Sequence, residues 1–314
     1  MTFEFAPLEG LTDRIYRQLH RQYFPGLDRY YTPFLSPTVH RSLTHREELE
    51  LPTAASLGAE TVPQLLTRNP ADFLWMAGQC AERGYREVNL NLGCPSGTVV
   101  SKGKGAGMLA DRDGLCRFLD EVFSAAPVAI SVKTRIGLRD PAEFPELLDI
   151  FNRYPLARLI LHPRVRQAFY SGSVDMDAFA YALGHSRAPV SYNGNLCSTE
   201  DIAALSRRFP GVDTVILGRG LIGDPGMLCP GGTEKARLQA FYEDLLTRYL
   251  DAFGGSRNAM FRLKEHWHYL ICHFGNADKL GKRLRKTTDL AEYRAITAEI
   301  FETLPFLPRL HPDW

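Results

Sequence analysis

The sequence predicts an α/β fold, a (β/α)8 TIM barrel followed by an all-helical bundle. Three observations carry that prediction. Eight short apolar, β-branched runs alternate with helical stretches, the pattern of a parallel sheet with crossover helices. Eight such units suggest closure into a barrel, and 314 residues leave room for a barrel of about 250 residues plus a smaller domain. Beyond Asp224-Pro225-Gly226 and the turn cluster Cys229-Pro-Gly-Gly-Thr233, only helical spacing remains.

The predicted strands are Phe3–Leu8, Tyr30–Leu35, Thr61–Leu66, Val88–Leu92, Val128–Lys133, Leu159–His162, Val190–Tyr192 and Thr214–Leu217. Helices are expected over Asp13–Tyr23, Pro70–Arg83, Arg112–Ala125, Pro141–Tyr154 and Thr199–Phe209, with Pro141 suited to a first helical turn. The Tyr31–Thr61 connection is the least regular and is expected to carry extra loop. Leu238, Phe241, Leu245, Leu246, Tyr249 and Leu250 recur at helical spacing, and later helices cover about Asn258–Phe274 and Leu290–Thr303. The expected division is therefore a catalytic barrel over 1–228 and a helical domain over 234–314, joined by a Pro/Gly linker.

With 45% hydrophobic and 23% charged residues the composition is ordinary for a globular chain. A net charge of +1 means that any nucleic-acid site is a local basic patch. Six cysteines without a CxxC pair argue against a zinc site and a disulfide framework, so no metal is expected. No basic n-region with an apolar core opens the sequence, and no apolar run approaches the ~18 residues of a membrane span. A cytoplasmic protein with no membrane partner, working as a monomer, is expected.

Glu87-Val-Asn-Leu-Asn-Leu-Gly-Cys-Pro-Ser96 is the most informative segment. Val88, Leu90 and Leu92 alternate with Asn89 and Asn91 as a strand, and Gly93-Cys94-Pro95 ends it. Cys94 thus stands where a strand gives way to a loop, the face on which barrels build active sites. Asn91, three residues earlier, can present an amide to the same pocket. The competing reading is a buried structural cysteine. The other strand ends are also polar: Gln64, Lys133 and Arg135, His162 and Arg164, Asn193-Gly194-Asn195 and Gly218-Arg219-Gly220. Lys133 closes an apolar strand, so its ammonium is expected to face a specific acceptor. The glycines after strands seven and eight fall at the usual phosphate position of such barrels.

Ala6-Pro7-Leu8-Glu9-Gly10, Asn91-Leu-Gly-Cys94-Pro-Ser96, Val132-Lys-Thr-Arg135, His162-Pro-Arg164, Asn193-Gly194 and Gly218-Arg219-Gly220 together resemble the dihydrouridine synthase family of flavoenzymes, in order, over about residues 1–225. Arg262-Leu-Lys264 followed by Tyr269-Leu270 resembles, less specifically, that family's tRNA-contacting helical segment. The resemblance implies that Pro7 and Leu8 line the flavin ring of FMN, that Gln64, Lys133 and His162 hydrogen-bond it, and that Asn193, Gly194, Gly218 and Arg219 hold its phosphate. It implies Cys94 as general acid and Asn91 facing the substrate base, with Arg135 in the same lining. The chain departs from the family pattern at Pro163, where glycine is usual, at Asn195, where some relatives carry an acid, and in the glycine-rich Ser101–Gly107 loop.

The chemistry is self-consistent. Reduction of the uracil 5,6 double bond needs a hydride at C6 and a proton at C5. A reduced flavin supplies the first. A thiol, mostly protonated near neutral pH, supplies the second without being an activated thiolate. Lys133 offers positive charge where the reduced flavin is negative. FMN is preferred to FAD because a single phosphate site is implied and no GxGxxG follows a strand. NADPH, or NADH, is the expected reductant. A uracil within folded tRNA must be unstacked, which calls for a basic groove. Lys279, Lys282, Arg283, Arg285 and Lys286 form a run of cations without an acid, Lys102 and Lys104 follow Cys94, and Lys264 belongs to the helical segment. Solvated helix faces are the plain alternative for such runs. Two rival functions stand beside this one: an FMN-barrel oxidoreductase acting on a small free pyrimidine or enone, resembling dihydroorotate dehydrogenase, and a non-catalytic tRNA-binding protein on the same fold. The basic run argues against the first, and Cys94, Lys133 and His162 together argue against the second.

Overall fold

The computed structural model describes residues 1–38, 40–57 and 60–307. Its sheet contains β1 (Thr2–Phe5), β2 (Arg29–Tyr31), β3 (Glu60–Val62), β4 (Gln64–Leu65), β5 (Glu87–Leu92), β6 (Ala129–Arg135), β7 (Arg158–His162), β8 (Val190–Tyr192) and β9 (Thr214–Leu217). The order is β3-β2-β1-β9-β8-β7-β6-β5-β4. The outermost strands of that order, β3 and β4, are separated in the chain only by Pro63, so the sheet curls into a nearly closed parallel barrel. The run expected as one strand over Thr61–Leu66 is therefore two. Proline has no N–H to donate, and the ladder is interrupted at Pro63: Tyr31 pairs with Val62 before it, Gln64 pairs with Asn89 after it, and an isolated bridge from Leu35 to Leu65 continues the contact on the β2 side.

Other boundaries move for similar local reasons. The first strand stops at Phe5, ahead of Pro7. The fifth expected strand runs on to Arg135, in register with β7 through Arg135↔His162. Crossover helices lie at Pro70–Glu82, Arg112–Ala125 and Phe144–Phe151, the last preceded by a 3-10 turn over Pro141–Glu143. Met176–His185 is a helix that the sequence did not suggest. Its residues are apolar almost all round, so there was no periodicity to see, yet Asp175 caps it by accepting from the Asp177 and Ala178 N–H groups.

The chain forms two compact units. One comprises Met1–Pro7, Asp28–Gly194 and Arg208–Ile216 and holds the barrel, whose interior packs Ala6, Tyr31, Val62, Ile160 and Ile216. At the N-terminal end of its strands, buried Glu4 lies 3.8 Å from Arg29 and 3.6 Å from Arg158 and accepts a hydrogen bond from the Tyr31 hydroxyl at 2.9 Å. Arg29 also pairs with Glu60 and Glu87. Burial raises the Glu4 carboxyl above its ordinary pKa, and the two arginines oppose that rise.

The other unit gathers Leu8–Leu27, Asn195–Arg207 and the chain from Leu217 onward. Its helices include Arg14–Tyr23, Lys235–Phe253, Ser256–Leu270, Asp278–Lys286 and Leu290–Thr303. Tyr16 stacks on His266 at 4.8 Å and meets Phe241 edge-on at 5.4 Å, while the Tyr249 hydroxyl donates to Asp13. Residues 308–314 of the expected helical domain lie outside the described residues. Among the described residues no helix is long and apolar enough to cross a membrane.

Candidate active site

The site grows from the C-terminal ends of the barrel strands. β5 contributes two inward amides. Asn89 Nδ2 donates to Ser131 Oγ at 2.9 Å, and Asn89 Oδ1 accepts from Gln64 Nε2 at 2.7 Å; Asn91 Nδ2 donates to Gln64 Oε1 at 2.8 Å. This chain of amides fixes the Asn91 rotamer. Its Oδ1 then accepts from the Gly93 N–H at 3.1 Å and the Cys94 N–H at 2.9 Å, an Asx-type turn that ends the strand and aims the cysteine.

The same turn is held at its carbonyls. Arg135 Nε donates to Gly93 O at 3.0 Å, the Ala106 N–H donates to Cys94 O at 3.1 Å, and Arg166 Nε donates to Pro95 O at 3.2 Å. Gly105, at φ +57°, allows the close passage: a Cβ there would sit 3.0 Å from the Cys94 Cβ. Cys94 itself is half-buried, and like the other five cysteines it is not in a disulfide.

A cluster of cations surrounds this turn. Burial pushes the Lys133 ammonium down to about 7, the nearby Arg135 charge adds to the fall, and Cys94 opposes it. Arg135, 1% exposed, is pushed down to about 10, chiefly by burial, and also donates to Val165 O at 3.1 Å. Among the described residues, Lys133, Arg135 and Arg166 have no carboxylate within ion-pair distance. Buried His162 lies 3.1 Å from Arg164 through Nε2, and Arg164 donates onward to Gly172 O at 2.5 Å. After β7, the exposed Tyr170 ring lies against the His162 ring and under the Arg135 guanidinium, 5.4 Å away.

Gln64, Asn91, Cys94, Lys133, Arg135 and His162 are thus placed on converging strand ends of one unit. Asn193 and Gly194 follow β8 in the same unit, where Asn193 Nδ2 donates to Ile216 O at 2.7 Å. A Cβ on Gly194 would collide with the Tyr192 hydroxyl. Pro7, at the end of the segment after β1, is half-buried. Leu8, Gly218 and Arg219 belong to the other unit, where Arg219 donates to Asn195 at 2.7 Å. Lys102 is exposed in the loop after Cys94.

In the helical unit, Leu280, Gly281 and Leu284 are buried on one face of Asp278–Lys286, leaving Lys282, Arg283, Arg285 and Lys286 exposed. Arg283 is paired with Glu299 at 3.2 Å. Lys264 donates to the Thr287 carbonyl just past this helix's last residue, so it caps the basic helix. Arg166 and Tyr170 were missed from sequence. The alternation His162, Arg164, Arg166 continuing beyond the strand was the available signal.

A parallel barrel with a cysteine turn and cations at its C-terminal face defines a TIM-barrel enzyme class, and comparison supplies the family. Residues 4–299 match Dihydrouridine synthase (Dus), and the chain belongs to that family. It is 26% identical to "tRNA-dihydrouridine synthase B" of Xanthomonas campestris pv. campestris over 314 aligned residues, covering 95% of this chain and 92% of the relative. It is 30% identical to "tRNA-dihydrouridine(16) synthase" of Ralstonia nicotianae, covering 70% and 69%. Among solved structures, morphinone reductase superposes with a TM-score of 0.50 at 13% identity, over 72% of this chain and 84% of that one, a likeness of fold.

Proposed function

We propose that this chain is a tRNA-dihydrouridine synthase that uses FMN and is re-reduced by NADPH or NADH. The observation that carries this reading is the fixed Cys94 turn set beside Lys133, Arg135 and Arg166, cations with no carboxylate within ion-pair distance among the described residues. The residues present suit a flavin. Lys133 is a part-buried ammonium with no carboxylate partner among the described residues, and burial, with the Arg135 charge beside it, holds its pKa below the ordinary value. Gln64 on β4 and His162 at the end of β7 flank β5 and β6, the strands that carry Cys94 and Lys133, and are proposed to meet ring heteroatoms. Asn193 and Gly194 follow β8, where Gly194 offers a phosphate a backbone without a Cβ. Gly218 and Arg219, and the ring-lining Pro7 and Leu8, complete the proposed cofactor set.

When bound and reduced, the flavin supplies the hydride for C6 of the uracil. Cys94 holds the proton for C5, and its turn leaves the thiol little freedom to miss that carbon. Asn91 and Arg135 act on the substrate by holding the Gly93–Cys94 backbone. Lys133 sets the local potential and favours a negative ring beside it. The division of labour follows the sequence: catalysis over 1–228, tRNA recognition over 234–314. There Lys282, Arg285 and Lys286 face phosphate more freely than Arg283, and Lys264 shapes their helix. Lys102 meets the RNA near the thiol.

The test is nucleoside mass spectrometry for dihydrouridine, after purified protein, FMN and NADPH are incubated with tRNA lacking the modification. New dihydrouridine is expected, and fragment mapping gives its position. A folded, yellow protein that makes none while reducing a free pyrimidine or enone would move the assignment to a small-molecule flavoenzyme.

A further inference from the structure

The segment after β7 holds a residue that neither the fold nor the cysteine turn requires. Phe169 adopts φ +48° and ψ −102°, a backbone conformation in which a bulky side chain is a true outlier. The residue is 44% exposed and lies outside the buried core. The Arg166 guanidinium lies over the Phe169 ring at 5.1 Å while its Nε grips the Pro95 carbonyl, one residue past Cys94. One arginine therefore ties an exposed aromatic face to the turn that carries the thiol. Arg135 makes the parallel arrangement next door, between Tyr170 and the Gly93 carbonyl.

Strained backbone concentrates at ligand clamps. An exposed aromatic face backed by a guanidinium is a platform for a nucleobase, because every base has a π-face and stacking is tolerant of sequence. We propose that Phe169 is such a platform. It stacks on the tRNA base adjacent to the target uridine and replaces the stacking partner that base loses when the uridine is extruded toward Cys94. Arg166 is the positioning residue that keeps the platform and the cysteine turn in register.

This inference rests on the proposed tRNA reaction. It is tested with full-length Phe169→Ala, Phe169→Gly and Phe169→Trp proteins, whose flavin content is measured first. On unmodified tRNA, F169A is expected to raise KM roughly tenfold with a smaller change in kcat. F169G removes the ring but suits the backbone, so it should lose as much as F169A, whereas F169W should recover most of the affinity. Ultraviolet cross-linking of the unaltered protein to tRNA should yield a nucleotide-bearing peptide attached at Phe169. An unchanged KM in F169A, or an F169G enzyme as effective as the original, would overturn the proposal. If the unaltered chain makes no dihydrouridine, the parent reading fails, and the cross-link, which needs no turnover, still decides whether Phe169 touches RNA: a linked base supports the platform and an unlinked one rejects it.

Discussion

At the N-terminal end of the barrel, Glu4, Glu60 and Glu87 meet Arg29 and Arg158, and a tyrosine hydroxyl completes the set. At the C-terminal end, Lys133, Arg135 and Arg166 meet no carboxylate among the described residues; the two arginines donate to backbone carbonyls and burial holds the lysine's pKa down. Similar residue types thus solve opposite problems. The first end pairs its own charges. The second holds cations without a carboxylate among the described residues, and in the proposed reaction an incoming anion meets them, the contrast expected between the two ends of a parallel barrel. Changes at the two ends should therefore report in different assays.

The sharpest separation comes from Cys94→Ala. Loss of a positioned proton donor should cut uridine reduction by roughly 10²- to 10⁴-fold while flavin colour and tRNA binding persist. A C94A protein reducing tRNA at the original rate would remove the acid assignment. Next comes Arg135→Met. With Gly93 O and Val165 O released, the turn loosens, and a misplaced donor should lower kcat by about 10- to 100-fold. Faster alkylation of Cys94 by iodoacetamide distinguishes this from a general loss of fold. At the other pole, Glu4→Gln should cost stability and leave kcat alone. About 1–3 kcal/mol is expected in urea unfolding, from a buried carboxylate that loses its charged partners.

The smallest effect is a pH signature. Lys133 is held below its ordinary value by burial, so between about pH 7 and 10.5 the folded chain binds fewer protons than the unfolded chain. Stability should rise with pH across that window, and the burden is at its full size below about 7. Lys133→Met should flatten the slope of Tm against pH there. A slope that survives K133M would mean that another group titrates.

Regular periodicity made much of the fold legible. Val190–Tyr192, Thr214–Leu217, Arg112–Ala125 and Leu290–Thr303 appear where the sequence placed them. The helix Met176–His185 did not announce itself, because an apolar segment without a polar face has no stripe to read. The site shows the same division. Asn91 and Cys94 could be connected in thought because they are three residues apart. Arg135 reaches Gly93 across 42 residues and Val165 across 30, and its role exists only once β5, β6 and β7 are side by side. Local spacing shows which groups are present; register between strands determines which of them touch.

Pro63 has one further consequence. Beside it the wall is closed by a short joint: the Leu35 N–H donates to Gln64 O at 2.8 Å, the Leu66 N–H donates to Leu35 O at 2.9 Å, and Leu35 and Leu65 form an isolated parallel bridge. A circular permutant whose new termini fell at Pro63 would keep the pairings of β3 with β2 and of β4 with β5, and this joint, without the covalent link, would then hold the cylinder shut. Its opening would expose two strand edges to association with another chain. Termini introduced in surface loops far from Pro63 would leave the covalent link in place to back the joint. The seam is thus the place where this architecture tolerates rearrangement least.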